Sequence, residues 1–219
     1  NLKAQIYMAW AEACFQLKES EKASGLFEKA LETAADPAMR CNHALAFANK
    51  LSQHGLLDES VKYYDYVLAN TKQEAQSRMA LMQKIMAFRK ADKLDDLRKQ
   101  TEARLEQDPK DEAALRTLYQ FYTIGVSSPE KAVEYGKRLM EIRPDDQEIL
   151  RRVARSYMMK REPEEAVKLF KRLIEADPGS KASYYGEILN AYLFAGQHEK
   201  AIEWARKLTE EQPDAARSW

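Results

Sequence analysis

The sequence predicts an all-α solenoid of about six helix–turn–helix repeats, and three observations support this fold class. The first is composition: 32% of the 219 residues are charged, and there are only seven glycines and seven prolines. Alanine, leucine, glutamate, lysine and arginine dominate, as in helical proteins. The second is a recurring phrase of a basic residue, leucine, an acid and proline, which ends at Pro109, Pro144, Pro178 and Pro213. The third is the step between these prolines, about 35 residues, which is typical of repeat architectures.

The copy from Gln147 to Pro178 shows the unit most clearly. Its first half has apolar residues at helical spacing, namely Leu150, Val153, Ala154 and Tyr157. The break KREPEE follows, with Pro163 suited to the first position of a helix. A second amphipathic stripe then runs to the closing proline. Each copy is therefore predicted to be a pair of helices joined by a short turn.

Aligning the copies predicts a single array over residues 1–219. The predicted repeats are approximately 4–37, 41–74, 78–111, 112–146, 147–181 and 182–215, and 216–219 would begin a further helix cut short at Trp219. The first two joins, near AADPAMR and NTKQEAQ, are predicted to be slightly longer. The third copy is degenerate, because Leu97 stands where other copies have a small residue. The fourth has one extra residue in GVSSPEKA, where either Ser127 or Ser128 is predicted to cap the second helix.

Several classes of function are not expected. The net charge is zero and the pI is about 7.0, whereas nucleic-acid binding favours a basic excess. No apolar stretch is long enough to predict membrane insertion. Cys14 and Cys41 are predicted to be free core residues, although a disulfide stays open. His43, His54 and His198 are far apart, and no metal, nucleotide or nucleophile motif is present, so no cofactor and no enzyme activity are predicted.

The repeats resemble the tetratricopeptide repeat (TPR) family. The resemblance is carried by small residues, aromatic residues and the four prolines: Ala11, Ala48, Ala154, Ala23, Ala132, Ala166 and Ala201, with Phe27, Tyr64 and Phe170. It implies a right-handed solenoid that acts as a non-catalytic scaffold for other proteins. Two alternatives stay open: a regulatory or targeting arm of a larger enzyme or assembly, and pentatricopeptide-like RNA binding, which the neutral charge disfavours. Self-association through the array ends is also possible. No compartment is assigned, with the cytoplasm slightly favoured over the periplasm.

The resemblance also implies that the first helices line a concave groove for a peptide or helix of another protein. The aligned groove positions are Leu45 and Asn49; Met82, Gln83 and Met86; Arg116 and Gln120; Arg151, Arg152 and Arg155; and Glu187 and Asn190. The stretch RRVAR gives the sharpest signal, because arginine binds carboxylates with two parallel hydrogen bonds. We therefore predict an acidic segment or a C-terminal carboxylate as ligand. The competing interpretation is a solvated face with intrahelical pairs such as Glu148 to Arg152.

One family function is not expected. Some TPR proteins grip acidic chaperone tails with a clamp of lysine, asparagine and arginine over three repeats. Asn49 matches a clamp asparagine, but Leu45 stands where lysine is needed, and Glu187 places an acid where a base is needed. The clamp is incomplete in every window of three repeats.

Overall fold

The structure, a computed structural model, describes residues 2–211 of the chain. Pro213 and the predicted helix at 216–219 lie outside the described residues. Within residues 2–211 there are twelve α-helices and no strands: α1 Leu2–Gln16, α2 Ser20–Thr33, α3 Pro37–Gln53, α4 Leu57–Asn70, α5 Glu74–Lys90, α6 Leu94–Gln107, α7 Glu112–Gln120, α8 Pro129–Ile142, α9 Gln147–Met159, α10 Pro163–Ala176, α11 Lys181–Phe194 and α12 His198–Glu211. The predicted all-α solenoid of helix pairs is confirmed.

The chain divides into two compact units. Unit 1 comprises residues 1–97, which hold α1 to α5 and the start of α6, and unit 2 comprises residues 98–219. In unit 1, α1 packs on α2, α3 on α4, and α4 on α5. In unit 2, α7 to α12 pack in the same sequential way, each helix on the next. Within each unit, helices that are adjacent in the chain therefore bury their apolar stripes against one another, as repeat proteins require.

One backbone feature recurs in every helix pair. The second residue before each second helix has a positive φ, and these residues are Lys18, Gly55, Asp92, Ser127, Arg161 and Gly196, with φ between 52° and 80°. This left-handed conformation ends the first helix, and only two of the six positions carry glycine, the residue that adopts it without strain. At five of the turns the next N–H bonds to the carbonyl five residues back, as Glu162 does to Tyr157 at 2.9 Å.

The turn between α7 and α8 is the exception. There the N–H of Ser128 bonds to the carbonyl of Tyr122, six residues back, at 2.8 Å. The extra residue predicted in this copy is absorbed by a π-helical turn, Phe121–Gly125, at the end of α7. Ser128 occupies the N-cap position with Pro129 next, which decides between the two predicted caps, although the Ser128 hydroxyl makes no cap bond.

The prediction that the joins after the first two copies are longer is wrong. The additional residues extend the next helices instead, because α3 and α5 have 17 residues each, against 13 for α9 and 14 for α11. In α3 the cause is local. The Asp36 carboxylate accepts the Met39 N–H at 2.7 Å, and Pro37 occupies the first helical position, so the helix begins early.

The recurring basic–leucine phrase has a structural role in unit 2. Arg138 donates to the carbonyl of Pro109 at 2.9 Å, and Arg172 donates to the carbonyl of Pro144 at 2.7 Å. The second helices α8 and α10 thus each bond to the loop that precedes their own pair. In these two copies the basic phrase is linked to the proline of the preceding copy.

Small residues let the helices of a pair approach closely, as the resemblance implies. The seven alanines that carry it are each 2% exposed or less. The copy at 112–146 has a large side chain where other copies have a small one, and a small one where they have a large one. Tyr119 occupies the position of Ala48 and Ala154. Gly136 occupies the position of Phe170. The Tyr119 ring lies against the Cα of Gly136 and supplies the missing bulk from the other helix. Its hydroxyl also hydrogen-bonds to Ser156 at 2.9 Å, inside the core.

Candidate functional site

The arginine-rich stretch lies on α9, and two of its arginines are accessible. Arg151 donates to Glu148 at 2.5 Å, and Arg155 donates to Glu187 of α11 at 2.5 Å. The arginine side chains are 42% and 58% exposed. Exposed ion pairs typically contribute about 0–1 kcal/mol. The two glutamates are less exposed than the arginines, at 26% and 24%.

Arg152 has a different environment from its two neighbours. Its guanidinium lies 5.0 Å from the centre of the Tyr119 ring and donates a hydrogen bond to Gln120. Gln120, predicted to face a partner, is only 6% exposed. Glu148, predicted as a partner of Arg152, bonds to Arg151. Arg152 and Gln120 therefore contribute mainly to packing between α7 and α9.

The two bonds between first helices share one register. Gln120 and Arg155 are 35 residues apart, and so are their partners Arg152 and Glu187. In both bonds, a side chain of one first helix contacts the residue three places before its own equivalent in the next first helix. These bonds join α7 to α9 and α9 to α11, so the three helices present a common face. We call a set of polar residues on it the arginine face, defined as Arg116, Arg151, Arg155, Glu187 and Asn190.

Arg116 is the most constrained member of the arginine face. Its Nε donates to Glu112 at 2.8 Å, and its Nη2 is 3.9 Å from Asp146. Arg143 lies 3.3 Å from Glu112 and 3.0 Å from Asp146. Asp146 also caps α9 by accepting two backbone N–H groups. This network orders the α8–α9 loop and leaves Arg116 only 23% exposed.

In unit 1 the predicted groove residues of α3 are engaged in packing. Leu45 is 7% exposed and belongs to the core. The side-chain oxygen of Asn49 accepts a hydrogen bond from the Tyr64 hydroxyl at 2.8 Å. Burial raises the pKa of Tyr64 to about 12. Asn49 therefore satisfies the hydroxyl of a buried tyrosine.

The remaining predicted positions lie on α5 and α11. Met82, Gln83 and Met86 are half-buried, and the sulfur of Met86 accepts from Arg89 at 3.9 Å. Asn190 is exposed on α11. The methionines thus offer limited apolar surface, while Asn190 extends the arginine face.

A small cavity that the sequence prediction missed opens between α1 and α3 in unit 1. Its volume is about 70 Å³, and it is lined by Met8, Glu12, Phe15, Gln16, Ala46, Phe47, Lys50 and His54. A sequence signal did exist. Met8 and Glu12 stand ten and six residues before Lys18, as Arg151 and Arg155 stand before Arg161. Both pairs therefore occupy equivalent repeat positions.

Residues 2–211 contain no group of three or more histidine, cysteine, aspartate or glutamate side chains placed to hold a metal ion. Cys14 and Cys41 are buried and free. Burial lowers the pKa of His43, and His54 stacks on Phe15 with ring centres 5.4 Å apart. Over the same residues, no helix has the length and hydropathy needed to span a bilayer.

Comparison with known families agrees with the repeat pattern. Two models described as tetratricopeptide repeat match the chain, one over residues 127–188 and one over 182–214. Residues 127–214 of the chain therefore match tetratricopeptide repeats. A positive-φ turn before each second helix extends the helix-pair pattern to the other copies within residues 2–211. No curated protein matches the sequence.

Solved structures with a similar arrangement of helices are known at low sequence identity. A crystal structure of the MamA protein has a TM-score of 0.48 and 16% identity, covering 81% of this chain and 94% of MamA. A tetratricopeptide repeat protein from Parabacteroides merdae has a TM-score of 0.48 and 14% identity, covering 96% and 80%. YrrB, described as a TPR protein with an unusual peptide-binding site, has a TM-score of 0.48 and 22% identity, covering 88% and 96%. These similarities are too distant to indicate a ligand for this chain.

Proposed function

We propose that this TPR protein is a non-catalytic scaffold whose arginine face binds an acidic segment of another protein, either extended or helical. TPR proteins are protein–protein interaction scaffolds. The observation that carries the finer proposal is the exposure of Arg151 and Arg155, which are one helical turn apart and bonded at 2.5 Å to the carboxylates of Glu148 and Glu187, respectively. In this proposal, a partner's acids take the places of these two carboxylates.

The energies favour a partner whose acids replace the ion pairs of Arg151 and Arg155, rather than one that binds beside intact pairs. Opening an exposed pair costs about 1 kcal/mol or less. A partner with two suitably spaced acids regains both bonds and adds buried contact area. Acidic partners are therefore bound preferentially over neutral ones, and the preference weakens as salt rises.

A peptide-display selection on the 219-residue chain tests this proposal. Random 12-residue peptides are selected on the parent protein, and affinities of enriched peptides are measured by fluorescence polarisation. We expect enrichment of aspartate and glutamate. The variant Arg151→Glu/Arg155→Glu is expected to bind the enriched peptides at least tenfold more weakly, equivalent to about 1.4 kcal/mol. Arg152 is left unchanged because it packs on Tyr119.

The matched control is Lys131→Glu/Lys168→Glu. These lysines lie on the second helices α8 and α10, are 50% and 68% exposed, and form i,i+3 ion pairs like that of Arg151. The control changes the net charge by the same amount and is expected to bind normally. Circular dichroism establishes that both variants are equally helical. Equal loss in both variants, or peptides without an acidic bias, would contradict the proposal and favour a solvated face.

A further inference from the structure

We propose that two copies of this chain associate through the exposed apolar face of α1, with the two α1 helices antiparallel about a two-fold axis. We call this face the α1 stripe, and it is defined as Leu2, Ile6, Ala9, Trp10, Ala13 and Leu17. The stripe lies in unit 1 and does not rest on the arginine face of unit 2. Its occupant is identified by the packing of equivalent positions, the sizes of its side chains and its lack of charge.

The α1 stripe is a continuous apolar surface that the described chain leaves exposed. Helical spacing places its six residues within an arc of about 100°, and the first charged side chain, Lys3, lies at the border of that arc. The four large residues are 72%, 54%, 49% and 71% exposed, in the order Leu2, Ile6, Trp10 and Leu17. The opposite side of α1 is buried against the other helices of unit 1. A helix that is apolar on both sides is typical of one that is covered on both sides.

In later copies, positions equivalent to those of the stripe are covered by the preceding second helix. Counting back from the positive-φ turn of each copy, Trp10 corresponds to Val153 and Ile6 corresponds to Tyr184. Val153 is 1% exposed and packs against α8. The ring centre of Tyr184 lies 6.2 Å from that of Phe170 on α10. Because consecutive helices joined by short loops run antiparallel, the stripe has the form of a surface that receives an antiparallel helix.

The order of large and small residues makes the α1 stripe complementary to itself. In one antiparallel register, Ile6 of each copy lies at the level of Ala13 of the other, and Trp10 lies at the level of Ala9. The leucines at the two ends of the stripe then meet, since Leu2 lies at the level of Leu17. Each pairing occurs twice, as a two-fold axis requires. The alanines allow close approach while the large residues fill the interface, which is why a second copy fits this surface.

A head-to-tail contact with α12 of another copy fits the stripe less well. Among the described residues of α12, Ile202 is the one large apolar side chain that is exposed, at 54%. Its neighbours on that face are Glu199 and Arg206, three residues before it and four after, and both are exposed. Packing them on the apolar stripe would remove two charges from water without partners, which is unfavourable. The symmetric pairing of two α1 helices buries no charge of the stripe.

The size of the stripe sets the strength of the association. A large apolar side chain presents about 150–250 Å² when fully exposed, so the four large residues present on the order of 500 Å² in each copy. Burying both stripes removes roughly 1,000 Å², the lower limit for a specific interface. We therefore expect a weak dimer, with a dissociation constant on the order of 10–100 μM. Because burial of apolar surface drives it, the association should not weaken as salt rises, unlike acidic-peptide binding at the arginine face.

Sedimentation velocity of the 219-residue chain, from about 1 to about 500 μM, tests the dimer. Ile6→Glu is expected to raise the dissociation constant at least tenfold, since it places a charge in the apolar interface. The matched control is Ile202→Glu, the same substitution at a residue with the same exposed fraction of 54%. The control is expected to associate as the parent does. Circular dichroism establishes that both variants are as helical as the parent, which we expect because both positions are exposed.

A second pair of variants tests the antiparallel register. Ala13→Lys alone is expected to weaken the dimer. Combined in one chain, Ile6→Glu and Ala13→Lys place opposite charges at the same level twice, so this variant should associate about fivefold more tightly than Ile6→Glu alone. A parallel pair would bring like charges together and show no such recovery.

Four results would overturn the proposal. A parent chain that is monomeric at about 500 μM would mean that a helix other than a second copy covers the stripe. Equal weakening by Ile6→Glu and Ile202→Glu would indicate a head-to-tail or non-specific contact. Association that is unchanged in Ile6→Glu would place the interface elsewhere. Lack of recovery in the double variant would exclude the antiparallel pairing. None of these results depends on whether the arginine face binds acidic peptides.

Discussion

Replacing Gly136 with alanine is expected to destabilise the protein, although the same change usually stabilises a helix. Alanine is favoured over glycine inside helices by about 0.5–1 kcal/mol. At Gly136, however, an added Cβ would lie 2.6 Å from Cγ2 of Val153 and 3.2 Å from the Tyr119 ring. Val153 is 1% exposed and stiff at χ1, so its methyl group cannot move aside.

The expected magnitude combines these two effects. Overpacking of this kind costs about 1–3 kcal/mol, which exceeds the propensity gain. We expect Gly136→Ala to lower the free energy of unfolding by about 1–2 kcal/mol, and the melting temperature by about 4 °C. Gly25 provides the matched control, because it lies in α2 with no atom within 4 Å of an added Cβ. Gly25→Ala is expected to raise the free energy of unfolding by about 0.5–1 kcal/mol.

Both variants are measured by urea unfolding followed by circular dichroism, with hydrogen exchange of α8 and α9 as a local probe. A double-mutant cycle with Val153→Ala isolates the contact, since removing Cγ2 should make Gly136→Ala neutral or stabilising. If both glycine substitutions change stability in the same direction, or if Val153→Ala leaves the effect of Gly136→Ala unchanged, then the close packing of α8 on α9 is not the cause.

Three further predictions follow from the turns, the core and the buried tyrosines. Lys18→Gly is expected to raise the free energy of unfolding by about 1 kcal/mol, because glycine adopts the positive φ of 62° without strain. Tyr119→Phe is expected to lower it by about 1 kcal/mol through loss of the buried bond to Ser156, measured by urea unfolding. Burial raises the pKa of Tyr63 and Tyr64 to about 12 from 10.0, so their contribution to stability is complete below pH 10 and lost as pH rises through about 12. Absorbance at the tyrosinate band is expected to show this delayed ionisation.

Each of these has its own control. Lys29→Gly, within α2, is expected to cost about 1 kcal/mol, so equal effects at Lys18 and Lys29 would contradict the turn argument. In a Ser156→Ala background, Tyr119→Phe should lose much of its effect. Tyrosines that all ionise together near pH 10 in the folded protein would show that Tyr64 is not enclosed as the structure has it.

The candidate site shows which features of a binding surface can be predicted by aligning the repeats. Spacing alone placed Arg151, Arg152 and Arg155 on one first helix beside its core stripe. It did not distinguish Arg152, which packs on Tyr119, from its two exposed neighbours. That difference arises because the small position of the preceding copy is occupied by tyrosine.

What the sequence by itself determined is the repeat: its step, its all-α character, its turns and the small residues of its core. These follow from local rules, since helical periodicity and capping act within a few residues. Only the tertiary structure decided which polar residues are free to bind. Asn49 is engaged by Tyr64, and Arg155 meets Glu187 in the next repeat. It also opened the cavity beside Ala46. Such outcomes depend on the sizes and charges of side chains brought together across one repeat or more, and the periodicity of a single helix does not specify those pairings.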